Sequence, residues 1–168
     1  MQKADIVIVS GVGLVSETIE GVTHSKYSHV ALAIDDKHVV EAAANGVVVR
    51  NMLSEYGNLP YIIMRPLVPI SEQLAENIAE TALGYTGTPY NWFETLWAGL
   101  MRVSGLGWRN PFFSKRAMDC VNLVVNSYHD NNCTLFTSND PGSIAPSDFA
   151  DNALLYINEG HFPGGISG

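Results

Sequence analysis

The chain has few cysteines and no zinc motif. It contains only two cysteines in 168 residues, Cys120 and Cys133, which is too few for a disulfide framework. A predicted helix that begins at Cys120 rises about 1.5 Å per residue and ends before Cys133, so we do not expect these two thiols to form a disulfide. Neither Cys-x-x-Cys nor His-Glu-x-x-His occurs. The sequence therefore predicts no metal site and no cofactor.

Basic residues are also scarce. Nine Lys and Arg stand against 17 Asp and Glu, which gives a formal net charge of −8. Because nucleic-acid affinity depends on clustered basic side chains, we exclude nucleic acid as a partner. Gly11-Val12-Gly13 follows an apolar run but has Ser16 where a dinucleotide fingerprint needs a third glycine. A nucleotide-binding turn is not expected there.

No apolar run reaches the roughly 18 residues that span a bilayer. Glu94 and Arg102 interrupt the most hydrophobic segment, 92–103, so no transmembrane segment is expected. Asp5 closely follows Lys3 near the N-terminus, and no small-residue cleavage site appears, which does not fit a signal peptide. A cytoplasmic location is the default expectation, although a leader removed earlier would leave no trace.

The length and the apolar content of 46% indicate one domain with a real core. We assign residues 1–160 to this domain and 161–168 to a flexible tail. Apolar periodicity predicts an α+β fold, a small antiparallel sheet packed against helices. The predicted strands cover 4–9, 27–34, 38–43, 47–50, 61–65 and 153–157, and the predicted helices cover 14–22, 71–84, 91–101 and 120–128. Loops are expected around 56–58 and 104–114, and a helical turn at Pro146.

The predicted helix at Cys120 is the first element that carries a candidate catalytic residue. Asp119 is a good N-cap, and Val121, Val124 and Tyr128 recur at helical spacing. Cys120 is then the first helical residue, where free N–H groups and the helix dipole favour a thiolate over a thiol. The alternative is a small buried hydrophobic cysteine, and this helix alone does not decide between them.

A histidine and a glutamate lie on the predicted hairpin of the second and third strands. A three-residue turn at 35–37 pairs Ile34 with His38 and Ala31 with Glu41, which makes Glu41 the diagonal same-face neighbour of His29. A two-residue turn would instead place Glu41 on the apolar face, so we favour the first register. Since the residues beside His29 on its face are alanines, we also expect room for a group to approach the ring.

Cysteine, histidine and carboxylate are the three parts of an activated thiol: nucleophile, base and the acceptor that orients the base. Each residue alone has an ordinary structural interpretation, and their combination carries the hypothesis. Tyr27 shares the predicted face of His29, so it is a candidate for substrate binding as a second oxyanion donor, or else a packing residue. A metal site of His24, His29 and Glu41 has no supporting ligand spacing.

Several motifs follow one another in a distinctive order: 25–34 with Tyr27-Ser28-His29-Val30 at its centre, Val40-Glu41-Ala42, Gly46-Val47, the Cys120 helix, and 144–148. Together they resemble the YiiX-type, circularly permuted NlpC-like cysteine peptidases, relatives of lecithin retinol acyltransferase within the papain-like superfamily. The likeness covers residues 5 to about 150. Two positions depart from it: Ala4-Asp5 stands where Gly-Asp is usual, and Val121-Asn122 where relatives often have Ser-Glu.

This resemblance implies a permuted papain-like fold with Cys120 as nucleophile, His29 as general base and acid, and Glu41 as the orienting residue. It also implies acyl transfer from an amide, ester or thioester in a peptide or acyl-containing substrate, through an acyl-enzyme whose oxyanion accepts from the Cys120 backbone N–H. Bacterial relatives point to cell-wall peptides. The alternatives are a lipid acyl hydrolase or acyltransferase, and a catalytically idle binding module of the same fold.

Overall fold

The computed structural model describes residues 1–11, 27–91, 117–136 and 144–163. These ranges contain six strands and four helices, and the helices lie between strands along the chain. In chain order they are β1 (Ile6–Val9), β2 (His29–Ala33), β3 (His38–Ala43), β4 (Gly46–Asn51), α1 (Met52–Tyr56), β5 (Tyr61–Pro66), α2 (Glu72–Gly84), α3 (Cys120–His129), α4 (Pro146–Ala150) and β6 (Leu155–His161).

The six strands form one antiparallel sheet in the order β4-β3-β2-β1-β5-β6. The central strands β1 and β2 are buried along their whole length. Such strands need cover on both faces, and this is why their sequences are almost continuously apolar. The antiparallel sheet with separate helices agrees with the predicted α+β class.

One face of the sheet is covered by α2, α3 and α4. We call this packing the helix-side core; the sheet contributes Ile6, Ile8, Val30 and Leu32 to it, all fully buried. The helices contribute a second set of apolar side chains: Ala75, Ile78, Ala82, Leu123, Val124, Tyr128 and Phe149. The 3.6-residue period of α2, its Ser71 N-cap and its end near Gly84 are confirmed, since Ser71 Oγ accepts from the Leu74 N–H at 3.2 Å.

The opposite face is covered by the short helix α1. Met52 and Tyr56 pack there against Val7, Val9 and other inward residues of the sheet, and we call this the α1-side core. The fully buried Ala31 and Ala33 of β2 belong to it. Tyr56 lies in the same cluster. The expectation that small residues beside His29 leave room for a group to approach the ring stays a prediction.

Other boundaries also differ from the prediction. Helix α1 is not expected from the sequence; it follows Asn51, which acts as N-cap and accepts from the Ser54 N–H, and its last residue, Tyr56, lies in the range assigned to a loop. Gly57 and Asn58 form a turn, as expected. The first strand begins at Ile6, since Ala4 has a φ of 63°, a left-handed conformation that glycine adopts without strain. The last strand runs further than expected. His161, assigned to the tail, ends β6 opposite Tyr61.

Some predicted elements lie outside the described residues. These are the helices at 14–22 and 91–101 beyond residue 91, the loop at 104–114, and the tail after residue 163. The helical turn at Pro146 is confirmed as α4.

Candidate active site

Helix α3 begins at Cys120, as its N-cap predicted. The Asp119 carboxylate accepts from the Asn122 N–H at 2.7 Å, and the Asp119 carbonyl accepts from the Leu123 N–H at 3.1 Å. The Cys120 side chain therefore leaves the first turn of the helix, and the residue is 8% exposed. Its backbone N–H donates to no backbone carbonyl of the residues that the structure describes.

The predicted register of the β2–β3 hairpin is confirmed. Leu32 opposes Val40, and the Ile34 N–H donates to the His38 carbonyl at 2.9 Å. This register places Glu41 on the same face as His29, and His29 Nε2 lies 2.8 Å from Glu41 Oε2. Both side chains are buried, with 11% and 4% of their surfaces exposed.

His29 connects the glutamate to the cysteine. Nε2 of the ring faces Glu41, and the Cys120 side chain lies near enough to the ring to contribute to its pKa. Burial alone would lower the pKa of His29. The hydrogen bonds and charges of Cys120 and Glu41 outweigh burial and raise that pKa to about 10. At neutral pH the ring is therefore protonated beside the Glu41 carboxylate.

Two residues that the sequence analysis did not single out hold the Glu41 carboxylate. The buried Tyr56 hydroxyl donates to Oε2, and Arg50 Nε donates to Oε1 at 3.3 Å. A signal for each existed in the sequence. Asn51 and Ser54 have the spacing of a helix N-cap, which would have revealed α1 and Tyr56. Arg50 lies two residues from Val48, which opposes Glu41, so it shares that face of the hairpin.

Tyr27 precedes β2, so strand alternation does not fix the direction of its side chain. It is half-buried and packs against the helix-side core, the cluster that includes Cys120. Burial and the negative charge of Asp151 raise the pKa of the Tyr27 hydroxyl. The hydroxyl keeps its proton at neutral pH, as a hydrogen-bond donor requires. Its assignment as an oxyanion donor stays a prediction.

Asp119 is the buried charge next to the cysteine. Burial raises its pKa, while hydrogen bonds from Asn122 and Val121 lower it, and the outcome is a pKa of about 6 against an ordinary 3.8. The folded state therefore binds this proton more tightly than the unfolded state does. The stability contributed by that proton is present at low pH and is lost as the pH rises from about 4 to about 6.

We expect Asp119→Asn to remove this pH dependence. Asn keeps the cap but carries no charge, so the variant should gain stability relative to wild type at pH 7, by at most about 3 kcal/mol. The gain should vanish near pH 4, where Asp119 is protonated. Urea unfolding of both proteins at several pH values measures this difference. A constant difference from pH 4 to pH 7 would contradict the account.

The described residues hold no group of three or more His, Cys, Asp and Glu side chains arranged to bind a metal ion. His24 of the conceivable metal site lies outside the described residues. Cys120 and Cys133 are both free thiols. None of the helices in the described ranges combines the length and the apolarity that crossing a bilayer requires.

The fold and the site define an α+β domain with a buried cysteine, histidine and glutamate cluster at the junction of a hairpin and a helix N-terminus. No protein-family model matches the chain, and no curated protein matches it. Among solved structures, it is similar to the metalloprotein YiiX from Escherichia coli O157:H7, with a TM-score of 0.71 and 19% identity over 96% of this chain and 98% of that chain. The YiiX-type fold implied by the motifs is confirmed.

Proposed function

We propose that this protein is a thiol-dependent hydrolase or acyltransferase in which Cys120 is the nucleophile, His29 the general base and acid, and Glu41 the orienting carboxylate. One observation carries the proposal: a single buried imidazole meets the Glu41 carboxylate at 2.8 Å and also hydrogen-bonds the thiol that begins α3. Residues from three separate elements converge here, and a structural histidine has no need of both partners.

The arrangement supports a two-step acyl transfer. The Cys120 thiolate attacks the carbonyl carbon, and the oxyanion accepts from the Cys120 backbone N–H. His29 then protonates the leaving amine, alcohol or thiol, and an acyl-enzyme remains. In the second step His29 takes a proton from water or another acceptor, which attacks the thioester and releases Cys120. Glu41 keeps the ring orientation fixed during both transfers.

The substrate class follows from the resemblance to permuted NlpC-like peptidases. We propose an amide bond of a cell-wall peptide as the primary substrate, with lipid acyl groups as the alternative. We also propose that the domain is a circularly permuted papain-like fold. The order His29, Glu41 and then Cys120 along the chain supports this, because the resemblance implies the same order.

Selective alkylation tests the thiol. Cys120 is 8% exposed, whereas Cys133 is half-buried and burial raises the pKa of its thiol. At about pH 6 an ordinary thiol is ionised to roughly 0.3%. We therefore expect iodoacetamide to label Cys120 at least about tenfold faster than the more accessible Cys133. His29→Ala should remove this advantage. Mass spectrometry of each cysteine peptide gives both rates.

The same experiment separates an enzyme from an idle module of the same fold. An idle module has no need of a thiolate, so equal labelling of the two cysteines, or labelling of Cys120 that His29→Ala leaves unchanged, would favour it. Cys133→Ala serves as the control, because it lies outside the cluster and should leave the Cys120 rate as it is in wild type.

YiiX is described as a metalloprotein, so a metal site must be considered. The described residues do not fit one. The His29 Nε2 that could bind a metal already faces the Glu41 carboxylate at 2.8 Å, and the described residues hold no group of three or more His, Cys, Asp and Glu side chains arranged as metal ligands. The thiol mechanism predicts that a chelator changes neither alkylation nor turnover. A loss of turnover that zinc restores would contradict it.

A further inference from the structure

We propose that Tyr56 is a positioning residue, whose hydroxyl fixes the Glu41 carboxylate against His29, the residue proposed to activate the Cys120 thiol. The inference rests on the proposed function, and it adds a fourth residue that the motifs did not indicate. Tyr56 comes from α1, on the face of the sheet opposite to the helix that carries Cys120.

The hydrogen bonds of the carboxylate support this assignment. The Tyr56 hydroxyl and His29 Nε2 both donate to the same oxygen of Glu41, Oε2. Arg50 Nε donates to the other oxygen of Glu41, Oε1. A carboxylate with donors on both oxygens cannot rotate without losing a hydrogen bond. Tyr56 also lies against the ring it supports, because the centroids of the His29 and Tyr56 rings are 6.0 Å apart.

Packing alone does not explain a tyrosine at this position. Tyr56 is fully buried in the α1-side core, where a phenylalanine has the same ring to pack. Only the hydroxyl differs, and a buried hydroxyl needs a partner. That partner is the Glu41 carboxylate, which also contacts the candidate catalytic histidine.

Helix α1 is held firmly enough to position a side chain. Asn51 caps its start, and the Met52 N–H donates to the Lys37 carbonyl at 2.8 Å. At its end, the Gly57 N–H donates to the Leu53 carbonyl, and a Cβ on Gly57 would lie 2.4 Å from that oxygen. The His161 ring contacts the Gly57 carbonyl at 3.1 Å. The backbone around Tyr56 is therefore fixed at both ends.

The test is the pH profile of Cys120 alkylation by iodoacetamide in Tyr56→Phe. Phe keeps the ring and its packing, so the variant is expected to fold. Loss of one donor leaves the Glu41 charge less well stabilised and the imidazolium less well anchored. We expect labelling at about pH 6 to slow about tenfold, because a factor of this size corresponds to the free energy of one buried hydrogen bond to a charged group. Near pH 9 the rate should approach that of wild type, because an ordinary thiol is mostly ionised at that pH without a neighbouring base.

Tyr128→Phe is the matched control. Tyr128 is also fully buried, and its hydroxyl donates to the Ala4 carbonyl, away from the cluster. This variant should lose stability in urea but keep the wild-type profile. A second arm repeats Tyr56→Phe in a Glu41→Gln background, where we expect its effect to fall below about twofold, since Tyr56 acts through that carboxylate.

The outcomes are distinguishable. If Tyr56→Phe keeps the wild-type pH profile while His29→Ala slows labelling, Tyr56 is a packing residue and the proposed function stands. An undiminished effect of Tyr56→Phe in the Glu41→Gln background would also overturn the positioning assignment. If His29→Ala leaves the labelling unchanged, the proposed function itself fails, and this inference fails with it.

Discussion

Replacing Glu41 with alanine is expected to lower the free energy of unfolding by about 3–5 kcal/mol, the usual cost of removing one partner from a buried charge pair. Glu41 is 3% exposed and accepts hydrogen bonds from His29, Tyr56 and Arg50. Its loss leaves a buried imidazolium without its carboxylate and a buried hydroxyl without an acceptor. Urea unfolding followed by circular dichroism measures the change.

The deficit should depend on pH through His29. The pKa of this ring is about 10 in the folded state against an ordinary 6.5. The proton on His29 therefore stabilises the folded state. This stabilisation is complete below about pH 6.5 and is lost as the pH rises towards 10. Since Glu41 supplies part of that stabilisation, Glu41→Ala should be most damaging near neutral pH and less so near pH 10.

Glu55→Ala is the matched control for this prediction. Glu55 is exposed on α1, and its carboxylate lies 3.9 Å from the same Arg50 that contacts Glu41. An exposed ion pair of this kind contributes about 0–1 kcal/mol. Equal losses for Glu41→Ala and Glu55→Ala, or a Glu41→Ala loss below about 1 kcal/mol, would show that the buried cluster is not held together as the contacts indicate.

The relation between His29 and Glu41 could be predicted because it is local. Strand alternation and turn length determine which residues of a hairpin share a face, and only one of the two registers places Glu41 on the face of His29. The start of α3 was equally local, since Asp119 is a strong N-cap and the apolar period follows at once. Such features depend on residues a few positions apart.

The position of Cys120 relative to His29 could not be derived in the same way. The two residues are more than ninety positions apart, and no periodicity specifies how α3 packs on β2. The order of motifs supplied that expectation. Tyr56 was missed for a different reason: α1 has five residues, too few for a periodic pattern, and its neighbour Gly57 indicated a loop.

Cys120→Ala is expected to abolish turnover of whichever substrate the wild-type protein cleaves. Peptidoglycan fragments and acyl lipids are the two classes to screen. Loss of the nucleophile of a triad lowers the rate by at least about 10³-fold, because the oxyanion donor and substrate binding retain only a part of the rate enhancement. Cys133→Ala is the paired control, because that thiol is half-buried and away from the cluster. It should keep the wild-type rate.

A covalent intermediate gives the same prediction a second readout. Acid quenching during turnover should trap the acyl group on Cys120 as a thioester, which raises the mass of that cysteine peptide by the mass of the acyl fragment. Adding a second nucleophile then separates hydrolysis from transfer, because only a transferase forms the exchanged product. Turnover that survives Cys120→Ala, or an acyl group found on Cys133, would show that another group performs the attack, and the buried histidine and glutamate would then need a different explanation.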